Sequence, residues 1–275
     1  MKRDLVLSQV FRIVSYVVFS IILLMFVLVI LGGIRYFSVS FFMEYPRNNM
    51  REGGIFPAIL GSFYLMVLTF IVAVPLGVFT GVFLSEWENF FTKWIDVSLT
   101  SLSGIPSIVY GLFGLAFFCV ALGFGTSMLA AALTLSLMTL PVIASATKET
   151  LKAIPVELRE AAYALGATKI EVIFKVLIPA AKRGIVTAVL VGGGRALGET
   201  APVLLTGAVF YSTFLPRSVF SPVMTLPTHI YYIMMAYGEK AQWMAKATAA
   251  FLLIVVAIIY SLAFYLRRRE HGRSH

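Results

Sequence analysis

The sequence predicts an all-α, polytopic membrane protein with six transmembrane helices, and three observations predict it. The chain of 275 residues is 60% hydrophobic and 13% charged; soluble chains carry about a quarter charged residues. Its mean hydropathy is +0.93. Several uncharged runs match or exceed the length that an apolar helix needs to cross a bilayer, about 20 residues. This apolar mass excludes intrinsic disorder. The single cysteine, Cys119, lies in an apolar run and reads as a small buried hydrophobe. The three histidines show no metal-ligand spacing, so no metal site is assigned.

The spans follow in order. Ile13 to Ile34 are 22 uncharged residues and form the first, 13–34. The run is too long for a cleaved signal peptide, and no small-residue cleavage site follows it. Gly53 to Ser85 are uncharged for 33 residues and contain the second span, 59–85. Val97 to Thr147 are uncharged for 51 residues. One helix of that length would be roughly 76 Å long against a core of about 30 Å, so the run must fold back. Gly123-Phe124-Gly125 is the expected turn, giving spans 100–122 and 127–147. Gly104-Ile105-Pro106 in the third marks either a gate or helix break or, the preferred reading, a kink without function. The fifth span, 184–210, is interrupted by Arg195 and Glu199; the sixth, 247–266, is closed by Arg267-Arg268-Arg269.

Six spans put both termini on one side, and basic residues choose the side. With the termini inside, inner segments hold fifteen Lys and Arg, including Arg273, and outer segments six. Both termini are therefore expected in the cytoplasm. The net charge of +9 reads as orientation and membrane contact, not as nucleic-acid binding.

The longest inner polar stretch, Lys148 to Arg183, is built as an elbow. Pro155 suits a first helical position. Leu158, Ala161, Ala162 and Leu165 form an apolar stripe. Gly166 stands where a left-handed residue should end the helix, and Thr168 with Glu171 reads as the capping box of the next one. Glu160-Ala161-Ala162, three residues, Gly166, nine residues, then Val176-Leu177-Ile178-Pro179 resembles the EAA loop of ABC-importer permeases, with Val and Ile as small departures. The resemblance implies a type I ABC-importer permease fold. It also implies that 155–179, with Arg159, Glu160, Ala161, Ala162 and Gly166, couples to a cytoplasmic nucleotide-binding subunit. The chain contains no G-x-x-x-x-G-K-[ST], so it is expected to bind no cofactor and to catalyse nothing; ATP and Mg belong to the partner ATPase.

Arg195 and Glu199, spaced i and i+4, are expected on one helical face, where they can pair. An ion there costs about 2.5–3.5 kcal/mol on insertion scales, so both should face protein or water. Four nearby glycines allow close helix approach, and Pro202 allows a kink. Either the pair locks helix packing, or it lines the translocation path and the guanidinium neutralises an oxyanion through its planar fork.

Arg195 with Gly198-Glu199-Thr200-Ala201-Pro202 is similar to the PstA-type branch of phosphate-specific ABC-importer permeases. Pro106-Ser-Ile-Val-Tyr-Gly-Leu-Phe113, the elbow, and Leu226-Pro227 strengthen the likeness. It implies a phosphate pathway through Arg195, Glu199 and Thr200, shared with a homologous PstC-like permease subunit. It also implies a PstB-like ATPase dimer beneath and a PstS-like phosphate-binding protein outside, in a prokaryotic inner membrane. Tyr211 to Trp243 is read as docking surface for that protein or as an aromatic belt. Sulfate or molybdate fits the same elbow. A membrane-embedded lipid-phosphate enzyme would need acids or histidines beside Glu199, and none stand there; a passive anion channel would leave the elbow without a task.

Overall fold

The structure, a computed structural model, describes residues 2–48 and 50–271, with side chains of 2–6, 239–240 and 268–271 left out. Arg273, counted above on the inner side, lies outside the described residues. The fold is helical: α1 Lys2–Ile34, α2 Val39–Met43, α3 Phe56–Glu86, α4 Phe90–Ser103 and α5 Ser107–Gly114, the last continuing as a π-helix to Ala121. Then come α6 Met128–Lys152, α7 Val156–Ala164, α8 Lys169–Glu171, a π-turn over Val172–Leu177, α9 Ile178–Gly198, α10 Ala201–Thr206, α11 Leu226–Tyr237 and α12 Gln242–His271. Two two-residue strands, β1 Pro46–Arg47 and β2 Glu52–Gly53, form one hairpin between α2 and α3.

Close contacts fix the directions. Gly77 meets Ile143 and Gly81 meets Thr147, so α3 and α6 run parallel. Gly184 meets Thr150 and Gly192 meets Thr139, so α9 returns antiparallel to α6. Gly194 faces Tyr260, while Gly33 of α1 packs on Lys246 and Ala250 of α12. The start of α1, the elbow and the end of α12 therefore lie at one end of the molecule. The hairpin, α11 and the segment 207–225 lie at the other.

Helix α6 is the centre and α1 the periphery: 67% of the apolar window of α6 is buried, against 6% for α1. Composition explains this. α6 presents Ala130, Ala131, Ala132, Ser136 and Ala144, small enough to let neighbours approach. Several of its buried hydroxyls bond back to the helix's own carbonyls, as where Thr139 Oγ1 donates to Leu135 O at 2.7 Å, whereas the buried Thr147 hydroxyl has no hydrogen-bond partner among the described residues. α1 is Leu, Ile, Val and Phe on every face, which suits lipid rather than helix contact.

Among the described residues four helices are long and apolar enough to cross a membrane: Leu7–Ile34, Phe56–Glu86, Met128–Lys152 and Gln242–Arg267. Counting a bent pair as one span gives five, so length and composition recover fewer than the six expected. α9 has 21 residues, about 31 Å, yet carries Lys182, Arg183 and Arg195, and their charge sets it apart from the other long helices.

Two expected spans are corrected. The third, 100–122, is no single helix: α4 and α5 meet at 104° across Gly104-Ile105-Pro106. Pro106 has no N–H for the ladder and drives Ile105 from helical geometry. Tyr110 Oη donates to the Leu102 carbonyl at 2.8 Å, which also accepts from Ile105 N–H at 3.1 Å. The fifth, 184–210, begins earlier, since the helix runs unbroken from the elbow, and it stops at Gly198 before restarting at Ala201. The expected Gly123-Phe124-Gly125 turn is present, with positive φ at both glycines.

Candidate functional site

The elbow forms as its sequence directs, one residue displaced at the start: Pro155 is the N-cap, and the helix begins at Val156. Gly166 has φ +82. Ala167 N–H donates to Ala162 O at 3.2 Å and Gly166 N–H to Tyr163 O at 2.9 Å, the paired bonds of a Schellman cap. Thr168 N–H donates to Glu171 Oε2 at 3.0 Å, and Glu171 N–H returns to Thr168 Oγ1 at 3.4 Å. Lys175 Nζ reaches Glu171 Oε1 at 2.7 Å. That hydrogen bond, with those from the Thr168 amide and hydroxyl, holds the exposed Glu171 carboxyl down at about 2 from 4.5. The widened turn at 172–177 precedes Pro179, which has no N–H to give.

None of the residues of α7 is buried. Leu165 is 89% exposed, and Val156, Leu158, Tyr163, Ile170 and Phe174 are exposed with it. Of the expected stripe only Ala162 is tucked against the core. Glu160 and Ala161 are exposed. Arg159 points the other way. Its guanidinium donates to Leu151 O at 2.7 Å and Ile154 O at 2.9 Å, closing the end of α6, and reaches Glu86 Oε1 at 3.3 Å. Lys169 Nζ donates to the Glu86 carbonyl at 2.6 Å and sits 4.3 Å over the Trp87 ring. Glu86 and Trp87 were not read from the sequence, although Glu86 is the first charge after 33 uncharged residues.

The charged pair lies at the break of the fifth span. Glu199 is not helical: it caps α9 with φ −74 and ψ 131. The i, i+4 helical face expected for the pair is thereby lost, yet Arg195 Nε and Glu199 Oε1 remain 3.7 Å apart. That is an ion pair but too long for a hydrogen bond, and among the described residues no hydrogen bond holds the guanidinium. The Arg195 side chain is 39% exposed and that of Glu199 17%. Thr200 is the N-cap of α10 without a side-chain cap bond. Glu199 also borders a cavity of about 10 Å³ that Ser62 and Thr225 share, space for one water. Tyr110, beside the other helix break, lies within electrostatic reach of Arg195. The two breaks are neighbours because α5 and α10 pack in parallel, Gly111 against Pro202 and Gly114 against Thr206.

The glycines before Arg195 each admit a different helix. A Cβ on Gly192 would stand 2.9 Å from Thr139 of α6; Gly193 faces Phe70 of α3, and Gly194 would stand 3.1 Å from Tyr260 of α12. Gly198 meets nothing.

At the opposite end, the segment after α10 is tied back over the start of α6. Met128 N–H donates to Ser221 O at 2.9 Å and Leu129 N–H to Val219 O at 2.8 Å, satisfying donors that a helix start leaves open. Phe214, Phe220 and Met235 are exposed here. Pro227, Thr228 and His229 are buried in α11, so only part of 211–243 is surface. Among the described residues no group of three or more His, Cys, Asp and Glu could hold a metal.

A bundle of long apolar helices with a protruding elbow and an ion pair at a broken span is the architecture of a polytopic membrane protein. The family model described as "Binding-protein-dependent transport system inner membrane component" matches residues 73–269. The chain belongs to that family. It is 30% identical to "Probable ABC transporter permease protein YqgI" of Bacillus subtilis, covering 94% of this chain and 93% of the relative. It is 33% identical to "Probable phosphate transport system permease protein PstA" of Methanocaldococcus jannaschii, covering 79% and 77%. For "Phosphate transport system permease protein PstA 1" of Mycobacterium tuberculosis the values are 37%, 77% and 69%. Among solved structures, a bacterial alginate ABC transporter chain aligns with TM-score 0.67 at 16% identity, over 98% of this chain and 96% of that one. A chain of the MetNI methionine ABC transporter aligns with TM-score 0.59 at 21% identity, over 80% and 94%. These likenesses give the fold, that of the type I importer permeases.

Proposed function

We propose that this chain forms half of the transmembrane path for inorganic phosphate in an ATP-driven importer, with both termini and the elbow in the cytoplasm. The observation that carries the reading is the Arg195–Glu199 pair at a helix break. The guanidinium is charged, partly open, and held by no hydrogen bond among the described residues. A 3.7 Å pairing leaves its donors available to a tetrahedral oxyanion, while Glu199 competes for them, so that an anion binds and leaves. The match of Gly198-Glu199-Thr200-Ala201-Pro202 to PstA-type permeases supports phosphate among oxyanions.

The exposed apolar tip of the elbow, Leu158, Tyr163 and Leu165, supplies the surface for a separate ATPase dimer, which would hold ATP and Mg. A homologous permease completes the path, and an external binding protein delivers the anion to the end bearing Phe214 and Phe220. The test is uptake of labelled phosphate by the complete importer in liposomes. Arg195→Gln should lower uptake roughly 10- to 150-fold, the loss of one charge-assisted anion contact of about 1.5–3 kcal/mol, with the ATPase still co-purifying. Unchanged uptake would remove Arg195 from the path, and competition by sulfate or molybdate but not phosphate would reassign the solute.

A further inference from the structure

A cleft of about 990 Å³ opens at the elbow end, between α6 and α9, with Pro155 and Leu158 at its lip and Arg267 of α12 at its side. Nothing in the reading of the Arg195 site requires it. Its α9 wall includes Arg183, Thr187 and Val191, and Arg195 is the next residue at the same spacing. Residues four apart lie on one slowly turning ridge, so the ridge that lines the cleft continues to the intramembrane arginine. Twelve residues separate Arg183 from Arg195, roughly 18 Å of rise.

The cleft is basic. Lys182, Arg183 and Arg267 line it against one acid, Glu149. Lys182 is exposed and Arg183 part-buried, and among the described residues no ion pair or hydrogen bond holds the Arg183 guanidinium. Clefts lined by one sign of charge with low-dielectric walls concentrate ions of the other sign. On the α6 wall Val142, Ala146 and Thr150 are uncharged and Glu149 carries the one negative charge, so the lining keeps an excess of cations.

We infer that this cleft is the inner vestibule of the path, and that Arg183 is a second oxyanion station about three turns below Arg195. An anion leaving Arg195 passes Val191 and Thr187, is held briefly by Arg183, and escapes past Lys182 and Arg267 into water. The inference rests on the reading of Arg195 as part of the path. The same chemistry would also suit the phosphate of an acidic lipid; the width of the cleft and its opening onto the elbow favour a free, hydrated anion.

The chain's sole cysteine, Cys119, is buried, so Cys119→Ala removes its own thiol and, carried in the complete importer, serves as the blank whose labelling is subtracted from that of Thr187→Cys, with Val191→Cys as a second position should the first fail to assemble. The complete importer is placed in inside-out vesicles of zwitterionic lipid and treated with anionic and cationic thiosulfonates of similar size. The anionic reagent should react at least fivefold faster, on the order of the local enrichment that focusing gives. Adding Arg183→Gln should bring the ratio close to one, and millimolar inorganic phosphate should slow the anionic reagent only while Arg183 is present. Equal rates for both reagents, no reaction at either position, or a ratio unmoved by Arg183→Gln would overturn the proposal. So would protection that requires added phosphatidylglycerol and ignores phosphate, which would make the cleft a lipid site. These rates do not depend on uptake, so a failure here is distinguishable from a failure of Arg195→Gln in transport.

Discussion

At the scale of the residue, glycine does two different jobs. Gly192, Gly193 and Gly194 are close-approach positions, each toward a different helix, so α9 sits at the junction of α3, α6 and α12. The sequence shows that this triplet permits approach, but it cannot show that three separate neighbours use it, because which helices meet is decided by the whole bundle. Gly166 is conformational instead: its φ is +82 and a Cβ there would touch nothing. Substitution therefore adds backbone strain without a clash, about 1–2 kcal/mol for an ordinary residue and more for a β-branched one. Gly166→Val should straighten the cap and reduce ATPase capture in pull-down several-fold, whereas Gly166→Asn, which tolerates left-handed geometry, should keep most of it. Equal capture by both variants would separate the cap from coupling.

At the scale of the element, local chemistry is most legible where it is local. Thr168 and Glu171 announce a capping box, and both reciprocal bonds form. The folded carboxyl titrates at about 2, below its ordinary 4.5. A depressed carboxyl contributes stability that is complete above its unfolded pKa and lost as pH falls through the folded one. The protection factor of the Thr168 amide in hydrogen exchange should thus stay flat from pH 8 to 5 and decline only between 4.5 and about 2. Glu171→Ala should remove that protection at every pH. Decline already at pH 6 would mean that another group caps the helix. The broken spans were less legible. Gly104-Ile105-Pro106 signals a break, but a bend of 104° depends on the partners that receive α5. The end of α9 at Gly198 hides behind an i, i+4 pair that looks helical, and Pro202 proves to start a helix rather than to kink one.

At the scale of the whole molecule, the elbow must be stiffly joined to the bundle if a force applied to its tip is to move the spans. The tip is exposed and apolar, and its attachment is polar and shielded. The elbow motif assigns Arg159 to ATPase coupling; its side chain turns inward, where it ties the elbow to the ends of both α6 and α3. Spacing within a motif cannot distinguish these roles, because a helix shows which residues share a face and not which face a neighbour takes. The Arg159 side chain is 19% exposed and that of Glu86 only 8%, so removing the cation leaves a shielded carboxylate with one partner fewer. Breaking a fully buried pair costs about 3–5 kcal/mol, and this partly open one should cost about 2 kcal/mol. Arg159→Ala should therefore loosen the elbow without exposing its tip differently: the ATPase still co-purifies and hydrolyses ATP, while uptake per ATP falls about tenfold. Glu86→Gln keeps an oxygen to accept from Arg159 and should lose much less. A rigid link predicts that order, uptake falling before attachment does. If Arg159→Ala instead abolished ATPase capture with its thermal stability intact, Arg159 would belong to the partner interface after all, and force would have to enter the bundle through the continuous helix from Lys169 to Gly198 alone.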